Sequence, residues 1–129
     1  EHLSYQGEVQ AAFREAFRVL KKWGVLRVAV PDLETLCSLY LNPQLSPQQR
    51  FHVMRMIMGG QIDAFDYHKT MFNEQTLTMM LQEIGFGKVN RVQSFGLFPD
   101  TSEQTFGGIP ISLNLVAIKD PSPSPVKKP

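Results

Sequence analysis

The chain holds a single cysteine, Cys37, among its 129 residues. One cysteine excludes an internal disulfide and fits a reducing compartment, so a cytoplasmic location is expected. Net charge is almost absent: 13 Lys and Arg stand against 12 Asp and Glu, which leaves a formal +1. A field that small offers nothing for nucleic acid or an anionic membrane to follow, and neither is expected as a partner. No apolar run reaches the roughly 20 residues of a membrane-spanning helix. A basic start followed by an apolar stretch, the mark of a secretory signal, is missing too. So are a nucleophile elbow, a phosphate loop, a carboxylate pair of hydrolase character and any internal repeat. His2, Cys37, His52 and His68 are scattered without the close pairing of recognisable metal ligands, so no metal site is expected from spacing.

What is present suits one globular domain. Hydrophobic residues make up 43% and charged residues 19%, enough apolar material for a core and too little charge for a disordered chain. The chain opens on Glu1 rather than methionine, and an amphipathic pattern starts almost at once. The expectation is a piece of a longer chain.

Val9, Phe13, Ala16, Phe17 and Leu20 recur at i, i+4, i+7, i+8 and i+11, which is one stripe of a helix. Lys21 and Lys22 suit its carboxyl-terminal dipole, and Gly24 can take the backbone angles that stop it. Val25–Val30, closed by Pro31, reads as a strand. Helix, turn and near-continuous apolar strand together predict a step of a buried parallel sheet, with Arg27 leaving one face partly open. Asp32 reads as the cap of a helix to about Leu41, with Leu33, Leu36, Leu39 and Tyr40 inward. Ser46, Pro47 and Gln49 are the N-cap, N1 and N3 residues of another helix, which runs to Met58 and stops at Gly59-Gly60. An irregular stretch, 61–72, carries Asp66-Tyr67-His68-Lys69. Asn73 then caps a helix ending at Gly85, followed by strands over Lys88–Phe95 and Ile111–Lys119 around a turn-rich segment. The Pro/Ser/Lys stretch 120–129 is expected to be a disordered tail beyond the 1–119 domain.

In this order the residues resemble the second half of a class I S-adenosylmethionine-dependent methyltransferase. Arg18-Val19-Leu20-Lys21, then Lys22-Trp23-Gly24 and the strand to Pro31-Asp32, resembles the helix, turn and fifth strand of that family. Its usual form is R-V-L-K-P-G-G, so Lys22-Trp23 replaces Pro-Gly. Glu1-His2-Leu3 is similar to the E-H-L found after the fourth strand. Phe72-Asn73-Glu74 through Leu81, then Ile84-Gly85-Phe86, resembles the helix and G-F turn before the sixth strand. Ser112–Lys119 would be the seventh strand, antiparallel to the rest. The resemblance spans residues 1–119, and Asp66–Lys69 with the helical insertion is most similar to bacterial small-molecule or sugar-pathway members.

The resemblance implies an α/β fold: a partial Rossmann-like sheet of the fifth strand and the antiparallel sixth and seventh, with packed helices. It implies S-adenosylmethionine as cofactor of the intact parent and methyl transfer to an oxygen or nitrogen of a small molecule. Glu1 and His2 would border the cofactor. His2 and His68 would be the catalytic candidates, and Asp66, Tyr67, His68 and Lys69 would line the acceptor side. A histidine near neutrality can take a proton from the attacking hydroxyl or amine, although methyl transfer depends mainly on in-line positioning. The family's Gly-rich loop after its first strand has no counterpart here, because Gly59-Gly60 and Gly107-Gly108 do not follow an apolar strand. Cofactor binding by this chain alone is therefore not expected.

Structural readings stand beside each of these. His2 can be a frayed end, His68 can pack against Phe65 and Phe72, and Asp32 reads better as a cap than as a cleft residue. The methionines, Met54, Met56 and Met58 among them, read as core filler. The rival for the whole chain is a non-catalytic interaction module, which would pair an exposed sheet edge with a second copy.

Overall fold

A computed structural model describes residues 1–121; the expected tail, from residue 122 onward, lies outside the described residues. Four helices, α1 (Glu8–Val19), α2 (Leu33–Tyr40), α3 (Pro47–Met58) and α4 (Glu74–Ile84), accompany five strands. These are β1 (Val25–Pro31), β2 (Lys88–Arg91), β3 (Thr105–Phe106), β4 (Ile109–Pro110) and β5 (Ser112–Ile118). The chain is a mixed α/β protein. None of its described helices is long and apolar enough to cross a membrane.

The main sheet has the order β1-β5-β2, and both outer strands run antiparallel to β5. β1 and β2 are therefore parallel to each other and separated by a strand of opposite sense. The expected parallel ladder is not what β1 forms: its register pairs Val25 with Ile118 through to Pro31 with Ser112. An apolar run says that a strand is buried, but the direction of its partner is decided by residues almost ninety positions away. The one parallel contact outside the named strands is an isolated bridge between Asp32 and Phe72.

Leu26, Val28 and Val30 of β1 and Leu113, Leu115 and Ala117 of β5 share one face. There they meet Val9, Phe13 and Phe17 of α1 and Leu77 and Leu81 of α4. Each fully buried leucine contributes about 1.5–3 kcal/mol, so this layer dominates the fold. The opposite face is half open, as Arg27 suggested. A single 3-10 turn, Thr101–Glu103, covers it near Asn114, while Val25 and Arg27 remain exposed. A second cluster joins Leu36 and Leu39 of α2 to Val53 of α3 and Ile111.

The helix signals at α3 and α4 are realised atom by atom. Ser46 Oγ accepts from Gln49 N–H at 3.2 Å, and Gln49 Oε1 accepts from Ser46 N–H at 2.8 Å. Asn73 Oδ1 accepts from Thr76 N–H at 2.8 Å, and Gly59 (φ 91°) and Gly85 (φ 127°) end the two helices.

Other local expectations need correction. α1 stops at Val19, and its end is capped from far away: Lys119 Nζ donates to the carbonyls of Phe17 and Leu20 at 2.6 and 2.8 Å. Lys21 and Lys22 fall beyond the helix. The left-handed residue in the following turn is Trp23 (φ 64°), while Gly24 is needed because a Cβ there would meet the Lys21 carbonyl. Tyr40 is exposed rather than inward, and Met54 and Met58 are exposed, whereas Met56, Met71 and Met80 pack against the core as fillers. β2 ends at Arg91 instead of Phe95. At the tail boundary, Asp120 N–H still donates to Ile118 O.

Candidate functional site

Residues 1–3 lie alongside residues 68–70. Lys69 and Thr70 both donate backbone N–H groups to Glu1 O, at 2.8 and 3.2 Å, and Thr70 Oγ1 donates to Leu3 O at 2.7 Å. His2 and His68 thereby meet edge to face, with ring centroids 4.8 Å apart and planes at 84°. Glu1 Oε1 is 3.7 Å from His2 Nε2. The four residues after His68 lead to Phe72, whose carbonyl accepts from Leu33 N–H at 3.0 Å just past the carboxyl end of β1.

His68 is held by the end of α3. Its N–H donates to Met58 O at 3.1 Å, and its Nδ1 lies 3.1 Å from Ile57 O. A carbonyl can only accept, so Nδ1 carries the proton and a neutral ring keeps its lone pair on Nε2. The imidazole thus satisfies a helix end and presents a base in one placement. Phe65 is 87% exposed and does not bury the ring.

The other expected acceptor-side residues diverge. Asp66 closes its own loop: its Oδ2 accepts from Ile62 N–H at 3.3 Å, and its carbonyl accepts from Gln61 N–H at 2.9 Å. Gly59 and Gly60 make this possible, since a Cβ on either would collide with Asp66. Tyr67 is exposed, and so is Lys69, which joins the site through its backbone. Cys37 is exposed on α2, and His52 stacks on Phe106 with centroids 5.7 Å apart, so neither belongs to the cluster.

Asp32 occupies the N-cap position of α2 but makes no side-chain cap bond. Its carboxylate is buried, accepts from Thr35 Oγ1 at 3.0 Å and pairs with Arg91 Nη2 at 2.7 Å. Arg91 also reaches Glu74 Oε2 at 3.1 Å. Burial works against the guanidinium charge, but the hydrogen bonds to Asp32 and Glu74 outweigh it and hold Arg91 above its ordinary value. This triad ties β1, β2 and α4 together.

Sequence reasoning missed the groove beside the cluster. Phe51, Met54, Arg55 and Met58 of α3, with Gly59, Gly60 and Gln61, line an apolar cavity of about 360 Å³. Its signal was present as an apolar stripe at 51, 54 and 58, on a face other than the one carrying Val53 and Met56. No protein-family model, curated protein or solved structure matches the chain.

Proposed function

We propose that the chain is the acceptor side of an S-adenosylmethionine-dependent methyltransferase acting on an oxygen or nitrogen of a small molecule. The observation that carries this reading is the meeting of Glu1-His2 with His68-Lys69, on the segment that leads to the contact of Phe72 with Leu33 after β1. Support also comes from the sheet, where a strand of opposite sense lies between two parallel ones. That is the arrangement expected if β1, β2 and β5 correspond to the family's fifth, sixth and seventh strands. In this reading His68 Nε2 accepts the proton of the attacking group. The apolar part of the acceptor lies along the groove from Phe51 to Met58. Glu1 and His2 border the cofactor, and a Gly-rich cofactor loop must come from residues outside these 129.

Calorimetry with S-adenosylmethionine tests this on two samples: the 129-residue chain and the product of its whole reading frame. The reading expects saturable one-to-one binding by the latter and none by the former. No binding by either sample overturns the enzyme reading. Binding by the 129 residues alone would keep the cofactor but overturn the missing loop.

A second reading, a non-catalytic interaction module, is favoured by the free edge of β1. Gly24 O and Asp32 N–H are engaged with Lys119 and Ile111, so the even positions of β1 face β5. The backbone groups of Val25, Arg27 and Ala29 then point to an edge that no strand of the described residues covers. Such an edge can pair with a second copy.

A further inference from the structure

We propose that Glu1, His2 and His68 form a binding site for a divalent transition metal of the zinc, cobalt or iron kind, held by two imidazoles and one carboxylate. This inference is independent of methyl transfer, and a bound ion takes the same His68 Nε2 lone pair that would serve there as the base. Each of the three residues offers one ligand atom, and these atoms lie within 4.8 Å of one another. Glu1 Oε1 and His2 Nε2, at 3.7 Å, are close to the roughly 3.3 Å edge of a tetrahedron built on bonds of about 2.0 Å. Two imidazoles on one metal, with metal–nitrogen bonds of about 2.0–2.1 Å, place their centroids roughly 4.5–5.2 Å apart between right-angled and tetrahedral geometry. The observed 4.8 Å falls inside that interval. The widest pair, up to 4.8 Å apart, closes by about 1.5 Å to reach that edge.

His68 is already prepared for ligation. Its Nδ1 donates to Ile57 O, which fixes the tautomer and leaves Nε2 free to coordinate. An outer partner of this kind accompanies almost every metal-bound histidine. The segment bearing the other two ligands is braced without metal, through the bonds of Lys69 and Thr70 to Glu1 O and of Thr70 Oγ1 to Leu3 O. Little ordering therefore remains to be done when an ion enters.

The donor set selects the class of ion. Imidazole with carboxylate suits zinc, cobalt and ferrous iron, whereas calcium and magnesium prefer all-oxygen shells. Three protein ligands leave at least one position open, and His2 is exposed, so the open side faces solvent. A water or an acceptor oxygen would complete the shell.

The test uses the chain with its terminal amine acetylated, so that the amine cannot coordinate. Co²⁺ is added while visible absorption is followed, and Zn²⁺ is then titrated by calorimetry. The expected result is a visible band saturating at one equivalent and displaced by Zn²⁺. His68→Ala and His2→Ala should each weaken Zn²⁺ binding by more than the roughly 10–100-fold that losing an outer partner costs. Glu1→Gln should weaken it by about tenfold or more, and His52→Ala should leave it unchanged. His68 also caps α3, so His68→Ala can fail to fold. His2→Ala then decides the matter, because the contacts of the exposed His2 side chain are with the other two ligands, Glu1 and His68. Absence of one-to-one binding, or unchanged affinity in His2→Ala, overturns the proposal.

Discussion

Arg91 Nη2 lies 2.7 Å from Asp32 Oδ2, joining the last residue of β2 to the residue that follows β1. The carboxylate side chain is 5% exposed and the guanidinium 40%, so Asp32 depends on this partner far more than Arg91 does. Removing Arg91 leaves a buried carboxylate with only Thr35 Oγ1. Arg91→Ala should cost about 1–3 kcal/mol, below the usual figure for breaking a buried pair because Arg91 is partly solvated. Urea unfolding measures it. The sign of its pH dependence follows from linkage. Arg91 is a base raised above its ordinary value on folding, so its contribution is complete at lower pH and is lost only as pH climbs through its folded value. That window is strongly alkaline, and the cost of Arg91→Ala should be flat across neutral pH.

Asn114, in the middle of β5, donates from Nδ2 to Gln93 O at 2.9 Å and to Ser102 O at 2.8 Å, while its buried Oδ1 has no partner among the described residues. Asn114→Ala should cost about 2–3 kcal/mol by stranding two carbonyls. Asn114→Asp should be worse, because it aims a charged acceptor at two other acceptors. Thermal melts that rank Asp milder than Ala would contradict this account of the site.

Gly59 sits at φ 91°, and a Cβ there would press on Asp66 O. Gly59→Ala should therefore cost about 1–3 kcal/mol in backbone strain alone. It should also displace the loop that carries His68. Amide exchange at Gln61 and His68 reports the loop, and unchanged protection at both would rule out the proposed coupling.

The free edge of β1 makes a separate expectation for the interaction reading. Arg27 directs its N–H outward, so Arg27→Pro removes a donor from a partner without breaking the bonds to β5. A dimer by light scattering that becomes monomeric in this variant, with its circular dichroism retained, is the outcome that reading requires. A wild-type chain that stays monomeric at about 100 μM, the concentration range where weak association shows, ends it.

Ser46→Ala should lower stability by about 1 kcal/mol, the usual value of a lost N-cap. Its effect on the metal affinity of the Glu1, His2 and His68 cluster should be nil, since Ser46 lies at the opposite end of α3 from the carbonyls that hold His68. Paired unfolding and Zn²⁺ titrations separate the two effects.

The sequence by itself determined whatever is settled within about four residues. Ser46 and Gln49 cap each other, Asn73 reaches Thr76, and Gly59 and Gly85 release helices from angles a side chain resists. The stripe of α1 and the apolar run of β1 were equally legible, because burial writes a period into the chain. Tertiary structure decided the rest. β1 lies against an antiparallel strand because β5 supplies the matching register. β2 stops at Arg91, and just beyond it the Gln93 carbonyl accepts from the Asn114 side chain. Asp32 became an ion-pair partner because Arg91 arrived beside it, and Glu1, His2 and His68 became a cluster through bonds between segments 67 positions apart. Contacts of that span carry no period along the chain, so spacing alone cannot register them.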